Sequence, residues 1–571
     1  MNSVNLCEVR NASTSAATRG WSGRSYALLA SVLVLSTVVI VHGIHTGEFS
    51  YNVDESQHAM TGLFAADFMR NHPLAHPVEY AYQYYVQYPA LSGVIHWPPL
   101  FYGFEGLSFL LSGPTVVAAR LTILGFALVA ITFWFCLVRE LQNEWMAAAA
   151  GLLLACAPSI LLFEKAVMLE IPCLALSLGA IFFWARYLLS ESPAAVYLFS
   201  LFTSAAFLTK QNALFLIPFC FLSGIGLKGW RLFIRPAVLK AATLGVILTA
   251  PFYIVVYVVH WRTIAMDLGE KATSRADQIL FYLRALPDQL GWSALLLALL
   301  GMATCKWWAK PRVPAIMLSW IAACYVTFTL IGHKETRYSM YWIPPFLYFA
   351  VGLLICYFRK PVLRTAGAAC ATLLVGASLL SAWHYQRPYI SGYRAVAEQI
   401  TKLSSSGVIL YDAPLPGNFI FFLRANDPGR HFLVLRKALY VTRLKLSGGS
   451  EELVHTREEI EQLISHYGVR FLVVSSGDSL KFESQKMLRD LLQGPQFRQV
   501  GQFHVTGDDS PEPNIDLLVY ENTAWSPPSE KFLRVRMLTL NHDIVVPMDR
   551  FNLSDDPNPA AKPVLPGAKN Q

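Results

Sequence analysis

Eleven apolar runs constrain the fold of this chain more than any other feature. A bilayer core is about 30 Å thick, and a helix needs roughly 20 apolar residues to cross it. Hydrophobic residues make up 54% of the chain and charged residues only 15%, against roughly a quarter charged in globular proteins. The sequence therefore predicts a polytopic α-helical membrane protein and excludes a disordered chain, a coiled coil and an ordinary soluble enzyme. The predicted spans are 25–44, 115–138, 145–162, 167–188, 194–208, 211–227, 237–259, 291–308, 313–332, 338–358 and 362–383.

The Lys and Arg residues between these runs predict the orientation in the membrane. Fifteen fall in one set of alternate loops and nine in the other, and cytoplasmic loops are the ones enriched in these residues. The N-terminal segment 1–24 is therefore expected in the cytoplasm and the region after the eleventh span outside. The first run is longer than the core of a signal peptide and has no small-residue cleavage site after it, so we expect it to remain as a span. The net charge of +8 is spread over loop ends, which argues against nucleic acid as a partner.

Beyond residue 385 the pattern changes to short alternating helices and strands. Strands are predicted at 407–413, 431–437, 470–476, 497–506 and 516–522, with helices at 392–404, 456–466 and 484–493. This alternation is typical of an α/β domain. The predicted domains are the cytoplasmic N-terminus 1–24, the membrane domain 25–384, an exported α/β domain 385–522 and a Pro-rich, loosely ordered tail 523–571.

The α/β domain has no cysteine, no Gly-rich phosphate loop and no GxSxG sequence. We therefore expect it to have no disulfide and to pack or dock substrate, in preference to forming a second active site.

The first exported loop, 45–114, is far longer than a connection between two spans requires. Near its start lie two adjacent carboxylates, Asp54 and Glu55, followed by an amphipathic run at 57–70 that would lie along the membrane surface. The two acids also suit a helix N-terminus, and the two interpretations are compatible.

The same loop is rich in aromatic residues and contains His96 before a Pro-Pro pair. The tyrosines fit either an interfacial aromatic belt or sugar stacking; they are Tyr80, Tyr82, Tyr84, Tyr85 and Tyr88. His96 is a candidate metal ligand, although a lone histidine is more often simply hydrogen-bonded.

Five short motifs occur in an order that resembles the GT-C glycosyltransferases. The resemblance is to the branch with dolichyl-phosphate-mannose protein mannosyltransferases and lipid A aminoarabinose transferases. It covers residues 20–350. The motifs are Asp54-Glu55, Pro98-Pro99-Leu100-Phe101-Tyr102, Met168-Leu169-Glu170-Ile171-Pro172, Leu208-Thr209-Lys210, and Lys334-Glu335-Thr336-Arg337-Tyr338 with Pro344-Pro345.

Three positions depart from the pattern of that family. His96-Trp97 stands where bacterial members often have Glu-Lys, Gln211 where a Gly follows Thr-Lys, and Ile171 between the acid and the proline. These departures bear on the sugar and the acceptor more than on the reaction class.

The resemblance implies transfer of a sugar from a polyprenyl-phosphate donor to an acceptor hydroxyl on the exported face. An inverting transfer needs a carboxylate to take the acceptor proton, and Asp54 is the predicted base. Glu55 would orient the acceptor or join a divalent metal (Mg, Mn or Zn), with His96 as a further metal ligand. The predicted cations for the leaving phosphate are Arg337, Lys334 and Lys210, aided by Tyr338.

Charged residues at span ends more often reach the interface with their polar tips. These three cations, however, lie on the side where the charge rule predicts few. The predicted substrate-binding residues are His58, Glu170 and Tyr102. For Glu170, pairing with Lys165 or another cation is an equal alternative.

The partners expected from the resemblance are the lipid-linked donor, a lipid, glycan or protein acceptor, and the bilayer, with a bacterial inner membrane favoured. The alternative function is a transporter or flippase of lipid-linked saccharides. It would require ionisable residues in mid-span and two related halves. The sequence has no internal repeat, and its ionisable residues cluster at the exported boundary.

Overall fold

The computed structural model describes residues 20–50, 53–91, 97–269, 275–357, 361–442, 449–477, 480–508, 515–537 and 542–553. Before the first strand the helices are α1 (Gly23–Val41), α2 (Asp54–Asn71), α3 (Pro77–Gln87), α4 (Leu100–Ser112), α5 (Val116–Leu141), α6 (Glu144–Cys156), α7 (Pro158–Glu164), α8 (Glu170–Ser190), α9 (Pro193–Phe207), α10 (Leu216–Lys228), α11 (Pro236–Gly269), α12 (Arg275–Leu290), α13 (Trp292–Trp308), α14 (Val313–Leu330), α15 (Ile343–Cys356) and α16 (Pro361–His384). Three 3₁₀ helices lie among them, at Gln211–Phe215, Trp230–Ile234 and Thr336–Trp342.

The remaining elements alternate between strand and helix. They are β1 (Ile390–Ser391), α17 (Tyr393–Leu403), β2 (Gly407–Asp412), α18 (Pro416–Asn426), β3 (Phe432–Leu435), β4 (Tyr440–Thr442), β5 (Ser450–Glu452), α19 (Arg457–His466), β6 (Val469–Ser475), α20 (Glu483–Leu491), β7 (Phe497–His504), β8 (Thr506–Gly507), β9 (Asp516–Asn522), β10 (Phe532–Met537) and β11 (His542–Pro547). A 3₁₀ helix at Met548–Arg550 follows them.

Each of the eleven predicted apolar runs is helical, and three of them (145–162, 211–227 and 338–358) are each divided between two helices. Within the described ranges, eight helices are long and apolar enough to cross a membrane, or ten if each of two bent helix pairs is one span. The bent pairs are α6 with α7 and the 276–290 part of α12 with α13, at 66° and 116°. The run at 194–208 becomes α9, which has only 15 residues. The predicted helical membrane architecture with a strand-containing C-terminal region is confirmed, whereas eleven spans exceed the eight to ten that length and composition support.

The two bends have local causes. Pro158 is the first residue of α7, and a proline cannot donate the backbone hydrogen bond that would continue α6 into α7. Gly291 separates α12 from α13 with φ at +78°, a conformation that a residue with a Cβ adopts only with strain. The hydrophobicity of the sequence alone does not predict either bend.

The chain divides into two compact units. The first comprises Met1–Thr46, Ala65–Asp67 and Ser92–Arg387, and the second comprises Gly47–Phe64, Phe68–Leu91 and Pro388–Gln571. In the first unit, a Cβ on Gly301 would lie 2.0 Å from the Phe349 carbonyl oxygen, so α13 and α15 touch at backbone distance. Small residues allow such close approach between membrane helices.

The second unit is built around a five-stranded sheet of order β3-β2-β6-β9-β7. The first three strands are parallel, and β9 and β7 are antiparallel to their neighbours. Every residue of β2 is buried, as expected for a strand that is covered on both faces. The five strands match those predicted from the sequence.

Two features of the second unit were not predicted. Helix α18 lies between β2 and β3, and its buried residues run without interruption from Gly417 to Arg424, so it lacks an amphipathic pattern. Strands β10 and β11 form an antiparallel pair within the segment expected to be loosely ordered. Leu533 and Val535 of β10 are buried together with Ile544 and Val546 of β11.

Candidate active site

Two cations and a carboxylate meet at the beginning of the two most enclosed spans. In the spans 170–190 and 336–356, 67% and 83% of the most apolar 18-residue stretch is buried. These are the largest buried shares among the eight candidate spans. The Lys210 ammonium lies 2.5 Å from Glu170 Oε1, and Arg337 Nε lies 3.5 Å from the same oxygen. Glu170 and Lys210 are 0% and 2% exposed, and Arg337 is 10% exposed. Three residues predicted from separate motifs thus form one buried ion-pair cluster.

The position of Lys210 follows from the way α9 ends. The Lys210 amide donates to the Ala206 carbonyl oxygen, and a 3₁₀ helix begins at the next residue. The Leu100 amide donates to the Leu208 carbonyl oxygen, which fixes the Pro-Pro-Leu motif to this turn. Trp97 lies with its ring 5.4 Å from the Lys210 ammonium, within range of a cation–π interaction. Tyr102, the last residue of that motif, is buried.

Arg337 is held by a buried amide on α12. The Gln289 side chain is 1% exposed, and its Nε2 donates to the Thr336 carbonyl oxygen and to Ser339 Oγ. Its Oε1 accepts a hydrogen bond of 2.8 Å from Trp342 Nε1. One glutamine therefore binds both ends of the 3₁₀ helix that carries Arg337. A buried amide in mid-sequence gave no signal of this role, because its partners lie about 50 residues away in the chain.

A second carboxylate, Glu335, contacts Arg337 from the other side. The Arg337 guanidinium pairs with Glu335 Oε2, and Glu335 Oε1 lies 2.9 Å from His333 Nε2 and 3.4 Å from the Tyr338 hydroxyl. Burial alone would raise the pKa of Glu335, but the Arg337 charge and the His333 hydrogen bond hold that pKa below its ordinary value. The side chains from His333 to Lys210 thus form a continuous chain of polar contacts.

Lys334, the third predicted phosphate ligand, has a different set of contacts. Its ammonium donates to the carbonyl oxygens of Phe328, Thr329 and Ile331, at 2.6 to 2.8 Å. It thereby satisfies the last carbonyl groups of α14, and a cation is favourable at that end of a helix. Burial lowers the pKa of Lys334.

The two predicted acids of the first exported loop begin α2 in the second unit. Asp54 is the first helical residue and is half-buried. Glu55 is fully buried, and its Oε2 accepts a 2.8 Å hydrogen bond from the Ser50 amide. His58, one turn further along, is buried as well. The two acids therefore lie at a helix start, and their catalytic role stays a prediction.

The segment before Asp54 is anchored to the C-terminal part of the same unit. The Glu48 carboxylate accepts the amides of Gly392, Tyr393 and Arg394 at 3.0 to 3.2 Å, which caps α17. Burial raises the pKa of Glu48, and the three amides oppose that shift. Asn418 Nδ2 donates to the Phe49 carbonyl oxygen at 2.9 Å. Residues more than 300 positions away therefore fix the chain just before Asp54.

The tyrosine-rich helix α3 has an exposed first turn and a largely buried C-terminal half in the second unit. Tyr84 and Tyr88 are fully buried, and the Arg430 guanidinium lies 4.6 Å from the Tyr84 ring and 5.4 Å from the Tyr80 ring. The spacing of four residues places these three tyrosines on one helix face. These contacts pack the tyrosines within the second unit.

The structure shows a further group of charged residues that was not predicted from the sequence. It surrounds a cavity of about 10 Å³, roughly the smallest size that holds one water molecule. Arg120 donates to the carbonyl oxygens of Ile44 and Thr46, and Lys165 donates to that of His42. The charged lining residues are Arg120, Glu164, Lys165 and Arg387. Arg120 could have been noticed, because it lies within the predicted span 115–138 and charged residues inside spans are costly.

The described residues do not fit the divalent metal that the family resemblance suggested. Glu55 has one oxygen engaged by a backbone amide, and His96 lies outside the described residues. Among the residues that the structure describes, no three His, Cys, Asp or Glu side chains come together as a ligand set.

Comparisons with known proteins support the predicted resemblance. Residues 96–255 match the family model described as dolichyl-phosphate-mannose-protein mannosyltransferase. The fold is similar to ArnT from Cupriavidus metallidurans in the apo state, with a TM-score of 0.57 and 14% identity over 89% of this chain and 99% of that one. It is also similar to the ArnT structure bound to undecaprenyl phosphate, with a TM-score of 0.55 and 14% identity over 88% and 98% of the two chains.

A third structural neighbour is the arabinofuranosyltransferase AftD from Mycobacteria. Its TM-score is 0.52 at 15% identity, over 90% of this chain and 41% of that one. No curated protein matches the chain in sequence. The predicted resemblance is thus confirmed as a family-model match over residues 96–255 and as a similar fold.

Proposed function

We propose that this protein transfers a sugar from a polyprenyl-phosphate donor to an acceptor hydroxyl on the exported face of the membrane. The observation that carries the proposal is the buried cluster of Lys210, Glu170 and Arg337. Cations buried in a membrane domain are costly and usually functional. A phosphate at the end of a membrane-soluble polyprenyl chain is the anion that this location favours.

The leaving group explains why arginine suits this site. When the glycosidic bond to phosphate breaks, the phosphate oxygen takes the bonding electron pair and gains negative charge. Arg337 can donate two parallel N–H bonds to such an oxyanion, and Lys210 adds a compact positive charge. Both charges act in a poorly hydrated location, where electrostatic stabilisation is stronger than in water.

The acceptor needs a base, and we assign that role to Asp54. Its carboxylate would take the proton of the acceptor hydroxyl while the acceptor oxygen attacks the anomeric carbon from the face opposite the phosphate. One C–O bond forms and one C–O bond breaks, so the configuration at that carbon inverts. Glu55, beside Asp54 in the first turn of α2, and His58, one turn further along, would orient the acceptor. Glu170 and Tyr338 would set the positions of the two cations, and Tyr102 would contact the substrate.

The test of this function is the fate of the sugar–phosphate bond. Purified protein in lipid nanodiscs is mixed with radiolabelled polyprenyl-phosphate sugars and a membrane extract that supplies acceptors. We expect labelled sugar to leave the donor and polyprenyl phosphate to accumulate, with heat-inactivated protein as the control. In sealed vesicles, intact donor that crosses the membrane without loss of sugar would contradict the proposal and favour a flippase.

The orientation is tested by surface labelling of a cysteine at position 450. Ser450 is exposed, and the sequence has no cysteine from 385 onward. We expect a membrane-impermeant maleimide to label Ser450→Cys in intact cells. The matched control is Arg231→Cys, exposed in a predicted cytoplasmic loop, which should react only after the cells are opened. The reverse pattern would overturn the orientation.

A further inference from the structure

Glu335 gives the phosphate-binding arginine a carboxylate partner before any phosphate arrives. The Arg337 guanidinium contacts Glu335 on one side and Glu170 on the other. Glu170 also holds Lys210. Two cations and two carboxylates make this group of four neutral, so a phosphate that binds to Arg337 must compete with a carboxylate that is already there.

The two carboxylates differ in how costly it is to separate each of them from Arg337. Glu170 is 0% exposed and bridges both cations. A buried carboxylate that loses its cationic partners strongly destabilises the folded protein. Glu335 is 31% exposed and contacts one of the two cations. It also immediately precedes a 3₁₀ helix, in extended backbone. Glu335 is therefore the carboxylate that an incoming phosphate can displace at the smaller cost.

A second partner for Glu335 is already in contact with it. His333 Nε2 lies 2.9 Å from Oε1, whereas Arg337 pairs with Oε2. The two oxygens thus face two different donors. A carboxylate that releases Arg337 therefore keeps the contact that it already makes with His333.

On the basis of the function proposed above, we propose that Glu335 is a displaceable counter-ion of Arg337. It neutralises the guanidinium in the empty enzyme, turns toward His333 when the donor phosphate binds, and returns to Arg337 to expel the phosphate after transfer. The return matters because the donor is a phosphodiester with one negative charge, whereas the product is a monoester with up to two. Without a competing carboxylate, Arg337 would hold the product more tightly than the donor.

The experiment measures equilibrium binding of undecaprenyl phosphate, with undecaprenol as the neutral probe, to the full-length protein in nanodiscs. Glu335→Gln keeps the shape and removes the charge, and we expect it to bind undecaprenyl phosphate roughly fivefold more tightly than wild type, the effect of one partly exposed ion pair. Binding of undecaprenol should not change. Glu191→Gln is the matched control, because Glu191 also bridges two cations, Lys228 and Arg235, and it should bind like wild type.

A second variant tests the role of His333. His333→Ala removes the nearer alternative partner and leaves only the Tyr338 hydroxyl at 3.4 Å from Oε1. Glu335 should therefore stay on Arg337 more often, and undecaprenyl phosphate should bind about twofold more weakly. In the double variant His333→Ala/Glu335→Gln, binding should be as tight as in Glu335→Gln alone. A merely structural role of His333 would weaken binding equally in both backgrounds and would overturn the exchange.

The outcomes separate this inference from the proposed function. Suppose that wild type prefers undecaprenyl phosphate over undecaprenol, but Glu335→Gln binds the phosphate equally well or more weakly than wild type. This result overturns the role of Glu335 as a displaceable counter-ion and leaves the assignment of the donor unchanged. Absence of any preference for the phosphate in wild type and in Glu335→Gln overturns both. Slower turnover of Glu335→Gln at saturating donor, relieved when product is removed, would further support expulsion of the product.

Discussion

Replacing Asp54 with Asn is expected to lower the rate of sugar transfer at least a hundredfold without weakening donor binding. A positioned general base contributes about 10² to 10⁴ in rate, and Asn has the same shape but cannot take the acceptor proton. The donor phosphate is assigned to Arg337 and Lys210, so the KM for the donor should stay near that of wild type. The measurement is steady-state transfer from a labelled polyprenyl-phosphate sugar, with expression and thermal stability matched.

The control for this variant addresses the ordinary role of an acid at a helix start. Asp54 lies in the first turn of α2, where a negative charge is worth about 0.3–1 kcal/mol of stability. Glu79 occupies the first turn of α3, is 58% exposed and pairs with Arg550. Glu79→Gln should therefore lose similar stability and keep full activity. If Asp54→Asn transfers sugar as fast as Glu79→Gln, Asp54 is a helix start and the base must be another group.

The sequence predicted the elements of the membrane unit well because hydrophobicity is local information. The run at 115–138 became α5, Val116–Leu141, and the run at 362–383 became α16, Pro361–His384. The number of spans is the part that stays a prediction. Whether α12 and α13 form one span depends on a backbone turn at Gly291, and α9 is apolar but short. Hydrophobicity does not encode either property.

The candidate site was predicted in part, and the missing parts are contacts across long separations. Glu170, Lys210 and Arg337 could be named singly from their motifs, but their meeting joins residues 40 to 167 positions apart in the chain. Glu335 stood in a quoted motif without a role, because only the fold shows that its carboxylate contacts Arg337. Lys334 and Arg337 were both predicted as phosphate ligands because both lie on the exported side of the membrane. The position of Lys334 just after α14, however, lets its ammonium reach the last carbonyl groups of that helix.

The anchoring of the segment before Asp54 also lay beyond the sequence. Glu48 had no recognisable pattern, since its three amide donors begin at Gly392, 344 residues later. The α/β part of the chain was expected to pack or to dock substrate. Its contacts with Glu48 and Phe49 tie residues 47–64 and 68–91 of the first exported loop to the same compact unit. An acid assigned as the catalytic base is thus held within a unit whose sheet is formed by the C-terminal third of the chain.

Replacing Arg337 with Gln is expected to raise the KM for the donor about 10- to 100-fold and to lower the stability of the protein as well. A hydrogen bond to a charged group is worth about 1.5–3 kcal/mol, and each 1.4 kcal/mol corresponds to a tenfold change in affinity. The loss of stability follows because Glu335 and Glu170 lose a cation at a buried position. Arg337→Lys should retain part of the affinity, since it keeps the charge but not the paired N–H geometry.

The double variant Arg337→Gln/Glu335→Gln separates the two effects. It restores the neutrality of the group that contains Lys210 and Glu170, so its melting temperature should return toward that of wild type. The KM for the donor should remain high, because no guanidinium is present to bind phosphate. If transfer recovers together with stability, Arg337 serves only to neutralise Glu335 and Glu170, and the donor phosphate binds elsewhere. A donor KM that stays high in a stable double variant would leave phosphate binding as the role of this arginine.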